Sequence, residues 1–379
     1  MTNTSQGKLP KYLICLSHLR WNFVFQRPQH LMTHLSKQME VYFIEEPIFE
    51  GENIHYKIEQ KNQNLFVVVP HLPVGTTESE VTALNKKLLD EFLTDKPIEN
   101  SAVWYYTPMA LNFSAHLDPL ITIFDCMDEL SAFKFAPTEL KQLETELLNK
   151  AQVVFTGGHS LYQAKKDKHQ NIFPFPSSID KNHFGQARHI DTSPPDQVNI
   201  PHPRLGFYGV LDERFDIDLI GEMATAKPDW NFVLIGPVVK IDPETLPKNS
   251  NIYYLGGKNY QELPQYMAEW DIALIPFALN ESTKYISPTK TPEYLAAGIP
   301  VISSAITDVV NPYKTLDLVE IANTTDEWIA CAEKLLSPSF NKEEWLQNVD
   351  AYLNTISWEI TVAEMTEKIL KTISNKNLN

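Results

Sequence analysis

Ser287-Pro288-Thr289-Lys290-Thr291-Pro292-Glu293-Tyr294-Leu295-Ala296-Ala297-Gly298-Ile299-Pro300-Val301-Ile302-Ser303 reads as a loop, a short helix, a tight turn and a buried strand. Ser287 can cap a helix and Pro288 suits a first helical position. Gly298 fits the left-handed position that ends a helix, and Pro300 cannot continue one. Pro292 offers a second reading, with the helix starting at Thr291 and Lys290 left in the loop. Lys290 and Glu293 are three apart, so a cation and a carboxylate share one face of the first turn. Beside free backbone N–H groups, that pair suits a ligand carrying phosphate at one end and hydroxyls at the other.

The rest of the chain alternates short β-rich apolar runs with helical patterns, as parallel α/β domains do. Strands are expected at Tyr12–Ser17, Val41–Ile44, Leu65–Val69, Ala102–Tyr106, Ile121–Asp125, Val153–Thr156 and Asn171–Phe175, then at Leu205–Tyr208, Phe232–Ile235, Ile252–Leu255, Ile272–Ile275, Val301–Ser303 and Leu316–Ile321. A chain of 379 residues exceeds one ordinary core. The proline-rich stretch with Pro194-Pro195 and Pro201-His202-Pro203 is the best linker. The expected layout is a first domain over 1–187, a linker over 188–203, a second domain over 204–355 and a terminal helical segment over 356–379. Two doubly wound sheets present ligand sites at the carboxyl ends of their strands.

Thirty-two basic against 48 acidic residues give a net charge of −16, which argues against nucleic acid as the main partner. Cys15, Cys126 and Cys331 lie far apart in apolar runs with no metal spacing. Free thiols in a reducing compartment follow. Residues 1–10 are polar, with no apolar signal core, and no run reaches membrane-spanning length. A cytoplasmic protein is expected, with room for a peripheral membrane contact through the basic segment Lys165, Lys166, Lys168 and His169; a solvated helix face is the plainer reading of that segment.

The quoted stretch resembles the Pro-x-Lys-x-x-Glu-Tyr-Leu-Ala-Ala-Gly-x-Pro-Val block of retaining glycosyltransferases of the GT-B fold, the large group 1 or family 4-like set. The resemblance extends to Gly206-Phe207-Tyr208-Gly209-Val210-Leu211-Asp212-Glu213-Arg214 and, in the first half, to Ser17-His18-Leu19-Arg20-Trp21 and Gln26-Arg27-Pro28-Gln29-His30. It implies two Rossmann-like domains facing a central cleft. It implies transfer of a sugar from a nucleotide-sugar donor, UDP favoured over GDP, to a glycan or lipid-linked acceptor in cell-envelope or exopolysaccharide synthesis. No cofactor and no metal is implied. Lys290 would bind the donor phosphate and Glu293 the ribose. Gly209, Gly236, Gly256 and Ser287 would line the donor site. The family often carries a second Glu eight residues before the motif Glu; this chain has Tyr285 there, which leaves the grip on the sugar in question, with Glu281 as a substitute from a shifted loop. A sugar-nucleotide epimerase and a noncatalytic nucleotide-sugar-binding protein are the competing readings.

The residues themselves add candidates at strand ends. Arg214 can take a diphosphate two-toothed, or pair instead with Asp212, Asp216 or Asp218 in an ordinary turn. Tyr254 and Tyr260 can stack on a base or simply pack. In the first half, His18 and Trp21 fit a sugar-binding wall, and Arg27 opens a helix toward it. Asp125 and Asp128 follow a strand and can hold an acceptor hydroxyl, act as a base or cap a turn. His159 begins another strand-end helix. The catalytic set expected is thus His18, Asp128, Arg214 and Lys290.

Overall fold

The computed structural model describes residues 8–376; the expectations for residues 1–7 and 377–379 lie outside them. The chain forms two compact units. One runs to Pro176 and resumes at Trp358; the other spans Ser177–Ser357.

The first unit is built on nine strands: β1 (Tyr12–Leu16), β2 (Glu40–Ile44), β3 (Ile48–Phe49), β4 (His55–Asn62), β5 (Leu65–Leu72), β6 (Ser101–Tyr105), β7 (Ile121–Cys126), β8 (Val153–Thr156) and β9 (Ile172–Pro174). Their order is β3-β5-β2-β1-β6-β7-β8-β9, with β4 added on β5. Runs such as Tyr12–Leu16, Ser101–Tyr105 and Ile121–Cys126 are buried at every position, as in a parallel sheet covered on both faces. Only β4 runs antiparallel. It is mostly exposed and polar, and Lys57 and Lys61 suit an edge strand. Neither β3 nor β4 carries the apolar pattern of a buried strand, so both escape the sequence reading.

The helix Arg27–Leu35 opens at Arg27, as expected. Gln26 stands at its N-cap, and the Gln29 side chain returns to accept from the Gln26 N–H at 3.1 Å. The helix Trp358–Lys376 completes this unit's core: Trp358, Val362, Met365, Ile369 and Ile373 join the apolar cluster beneath the sheet, and the Trp358 ring stacks on His30 at 4.7 Å.

The second unit has six parallel strands, β10 (Arg204–Tyr208), β11 (Asn231–Ile235), β12 (Ile252–Tyr254), β13 (Ile272–Ile275), β14 (Val301–Ser303) and β15 (Glu320–Ile321), in the order β12-β11-β10-β13-β14-β15. The order reverses at β10, as it does at β1 in the first sheet. Such switch points open a crevice at the carboxyl end of the strand. The segment expected as a linker is stitched into this unit. Ala187 and Ile200 sit in its core. Buried Gln197 donates to the Tyr266 carbonyl at 2.9 Å and accepts from the Trp270 indole at 2.9 Å. The division falls after Pro176 rather than at 187, because the chain from Ser177 on, with Ile179 and Phe184, already packs into the second unit. Among the described residues, no helix is long and apolar enough to cross a membrane.

Candidate functional site

The decisive stretch folds as a helix over Lys290–Ala296, with Thr289 at the N-cap position. Pro292 falls in the first turn, where its missing N–H costs no helical bond. Ser287 does not cap; its carbonyl accepts from the Ser177 hydroxyl at 2.7 Å. At the other end Gly298 takes φ +76°, its N–H bonds the Leu295 carbonyl at 2.9 Å, and the Ile299 N–H bonds that of Tyr294 at 3.1 Å. This is a Schellman turn. Arg188 reinforces it, donating to the Ala296 carbonyl at 2.7 Å and to that of Leu295 at 3.2 Å. With Thr291 to Ala296 all buried, the helix is fixed in place and delivers Lys290 and Glu293 to the end of β10.

Three glycines shape that end. Gly209 follows β10 with φ +141°, and a Cβ there would sit 2.4 Å from Lys290 Cε. Gly236 follows β11 with φ +147°, and a Cβ there would lie 1.8 Å from the Gly209 carbonyl oxygen. Gly256 follows β12 at φ +67° and accepts from the Gly236 N–H at 2.9 Å. Gly209 and Gly236 thus allow the strand ends and the Lys290 stem to approach one another closely.

Lys290 reaches over this floor. Its Nζ lies 5.6 Å from the Phe207 ring centre, 5.9 Å from Tyr208 and 5.6 Å from Phe277. It has no hydrogen bond or salt bridge among the described residues. Removal from water lowers its pKa to about 8, and the Arg214 charge pushes the same way, while Glu293 and Asp212 oppose. Glu293 is 4 % exposed and accepts a short hydrogen bond from the Tyr208 hydroxyl. Burial raises its pKa to about 7 against the pull of Tyr208, Lys290 and Thr289. Lys290 and Glu293 are thus adjacent groups of opposite charge, both perturbed mainly by desolvation.

Arg214 is held two-toothed by Asp212, with contacts of 3.0, 3.1 and 2.6 Å, so the turn pairing and the proximity to Lys290 coexist. Tyr285 is half-buried in the turn preceding the helix, with Lys284 Nζ 5.3 Å over its ring. Glu281, whose side chain is 80 % exposed, pairs only with Lys284 at 3.9 Å and supplies no carboxylate inward. Tyr260 stacks on His183 at 4.1 Å and Tyr254 bonds the Pro247 carbonyl at 2.9 Å. Sequence reasoning missed the aromatic surround of Lys290. Its only signal is the pair Phe207-Tyr208 before Gly209, which reads equally well as strand core.

In the first unit several expected ligand contacts are structural. Arg27 and Asp125 are both buried and hold each other two-toothed at 3.1 and 2.8 Å, while Arg27 also donates to the Phe175 carbonyl at 2.6 Å. Trp21 packs edge-on against Phe43, and its N–H donates to Glu45 at 2.7 Å. These three side chains tie the loops after β1 and β7 to the sheet and face no open surface. His18 and Asp128 remain half-buried in those loops, and His159 is exposed at the first position of the helix His159–Lys165. Gly157 lets the β8 end pass beside the β7 loop: a Cβ there would be 2.1 Å from the Met127 carbonyl oxygen. The basic segment is largely consumed, since buried Lys165 bridges Glu129 at 2.8 Å and Glu144 at 2.7 Å.

Residues 202–338 match the family model described as Glycosyl transferases group 1. TuaH of Bacillus subtilis (strain 168), provisionally named as a teichuronic acid biosynthesis glycosyltransferase, is 24% identical over 260 residues. That match covers 63% of this chain and 64% of the relative, slightly under two thirds of its length. Among solved structures, sucrose-phosphate synthase from Thermosynechococcus elongatus aligns with a TM-score of 0.72 at 12% identity, covering 96% of this chain and 100% of the other. A trehalose-6-phosphate structure from E. coli bound with UDP-2-fluoro glucose aligns with a TM-score of 0.70 at 12% identity, covering 95% and 99%. The shared fold is GT-B, with two Rossmann-like α/β units.

Proposed function

From the match of residues 202–338 to the Glycosyl transferases group 1 model, we propose that the protein transfers a sugar from a nucleotide-sugar donor, UDP-linked in preference to GDP-linked, to a glycan or lipid-linked acceptor with retention at the anomeric carbon. The observation that carries this reading is the Lys290 ammonium. It is ringed by Phe207, Tyr208 and Phe277, makes no hydrogen bond or salt bridge among the described residues, and stands beside glycine backbone and within the field of the Glu293 and Asp212 carboxylates. A partly desolvated ammonium with no direct salt bridge gains from a dianionic ligand.

Lys290 and Arg214 bind the diphosphate, and Glu293 accepts from the ribose hydroxyls. As the bond from the anomeric carbon to the phosphate oxygen breaks, its electron pair leaves with the diphosphate, whose growing charge the two cations stabilise. The acceptor hydroxyl passes its proton to a phosphate oxygen and bonds the anomeric carbon on the same face. Asp128 and His18 of the first unit are the acceptor-side groups. No metal and no cofactor takes part, since the cations supply the charge a metal otherwise brings. Teichuronic acid biosynthesis in the named relative supports a cell-envelope glycan as product.

The test is a thermal-shift titration with UDP, GDP, ADP and their sugar conjugates, in EDTA and in magnesium. A nucleotide at a hundred times its dissociation constant adds about 2.7 kcal/mol. Stabilisation by one nucleotide in EDTA, lost in Lys290→Ala and Glu293→Ala, supports the reading. Wild-type response in both variants overturns it.

A further inference from the structure

We propose that Tyr208 is a positioning residue for the donor: its hydroxyl orients the Glu293 carboxylate while its ring forms part of the wall around the Lys290 ammonium. The inference rests on the donor-site reading above and assigns the residue that couples its two halves.

Tyr208 ends β10, the switch strand, immediately before Gly209. Its Cα is paired with Ile235 of β11. Its N–H is turned aside to donate to the Tyr294 hydroxyl at 3.0 Å. The ring is clamped edge-on by Tyr294 at 5.2 Å and faced by Phe184 at 6.4 Å. A side chain fixed at backbone and ring holds its hydroxyl in one place, and that place is Glu293 Oε2. One donated hydrogen orients the carboxylate and leaves acceptor capacity for a ribose diol. The same ring lies 5.9 Å from Lys290 Nζ.

Other charged and titratable groups bear on the pair. Thr289 bonds Glu293 from its own helix, Tyr260 lies near it from the segment after β12, and Tyr294 and Tyr313 feel its charge. Arg214 and Asp212 face Lys290. Tyr208, unlike these, meets both donor groups, with its hydroxyl on Glu293 and its ring 5.9 Å from Lys290 Nζ. A hydrogen bond to a buried carboxylate favours its ionised, diol-accepting form. Removing the donor should shift binding toward higher pH, whereas a tyrosine that only fills space would leave the pH profile alone.

The experiment measures UDP dissociation constants by calorimetry from pH 6 to pH 9 on the full chain. Tyr208→Phe keeps the ring and removes the hydroxyl. Binding at the acid end is expected to weaken roughly tenfold, the value of a hydrogen bond to a charged group, with the gap closing toward higher pH. Tyr208→Phe placed on Glu293→Gln should add nothing. A Tyr208→Phe profile superposing on the parent overturns the proposal. Parental UDP affinity in Glu293→Gln instead overturns the donor-site reading beneath it. Should Tyr208→Phe fail to melt cooperatively, 3-fluorotyrosine at 208 decides: as a stronger hydrogen-bond donor of nearly the same shape it moves the acid limb to lower pH, and an unmoved limb refutes the role.

Discussion

Asp125→Asn separates scaffold from acceptor chemistry in the first unit. Arg27 is 2 % exposed, Asp125 fully buried, and the guanidinium meets the carboxylate through two nitrogens at 3.1 and 2.8 Å. The substitution keeps size and removes one charge. Arg27 then hydrogen-bonds only neutral acceptors among the described residues, the new amide oxygen and the Phe175 carbonyl, with the Asp128 charge acting on it from farther off. Breaking a buried pair from one side costs about 3–5 kcal/mol, because the surviving charge is neither solvated nor compensated. In a unit of this size that is roughly a 6 to 20 °C fall in melting temperature. Replacing both partners by apolar residues of similar volume should recover most of the loss. The assay is thermal and urea unfolding, with UDP binding as a control on the second unit, which should persist. An Asp125→Asn protein that melts with the parent yet loses transfer refutes the structural assignment and returns Asp125 to the acceptor.

Two further outcomes follow from the second unit. Lys290→Met should raise the melting temperature of the nucleotide-free protein at pH 7 by an amount worth about 1 kcal/mol while abolishing UDP binding, since it deletes a desolvated cation that serves a ligand. The sign follows from a folded-state pKa lowered to about 8 from the ordinary 10.5: burial penalises the charged form, and that penalty is present below pH 8 and fades toward the unfolded value. Gly236→Ala should cost more than about 1 kcal/mol and weaken nucleotide binding, because its Cβ meets a carbonyl oxygen at a φ that disfavours side chains. Gly257→Ala, with nothing within 4 Å, is the near-neutral control in both melting and binding.

The alternation of strands and helices was legible because parallel sheets bury both faces, and runs such as Val153–Thr156 and Ile272–Ile275 then announce themselves as unbroken apolar text. Strand β4 was not, because an exposed antiparallel edge needs no apolar pattern. The unit boundary was misplaced for a related reason: prolines around 194–203 look like a linker, and only tertiary contacts of Gln197, Ala187 and Ile200 reveal a docked segment. That Lys290 and Glu293 share the first turn of one helix was readable from their spacing, and the structure places them so. Arg27 and Asp125 were not readable as partners, being 98 residues apart in sequence. Nor were the roles of Phe207, Tyr208 and Phe277, since an aromatic at a strand end reads the same whether it packs inward or faces an ammonium.

The helix Trp358–Lys376 belongs to the core of a unit whose other elements precede residue 177. The polypeptide therefore leaves the first unit unfinished, completes the second, and only then supplies the piece that closes the first. On a ribosome this inverts the order of maturation. The later-encoded unit is the first with all its parts, while the earlier one waits with the apolar surface that Trp358, Met365 and Ile369 will cover still open, and with it a need for protection from premature association.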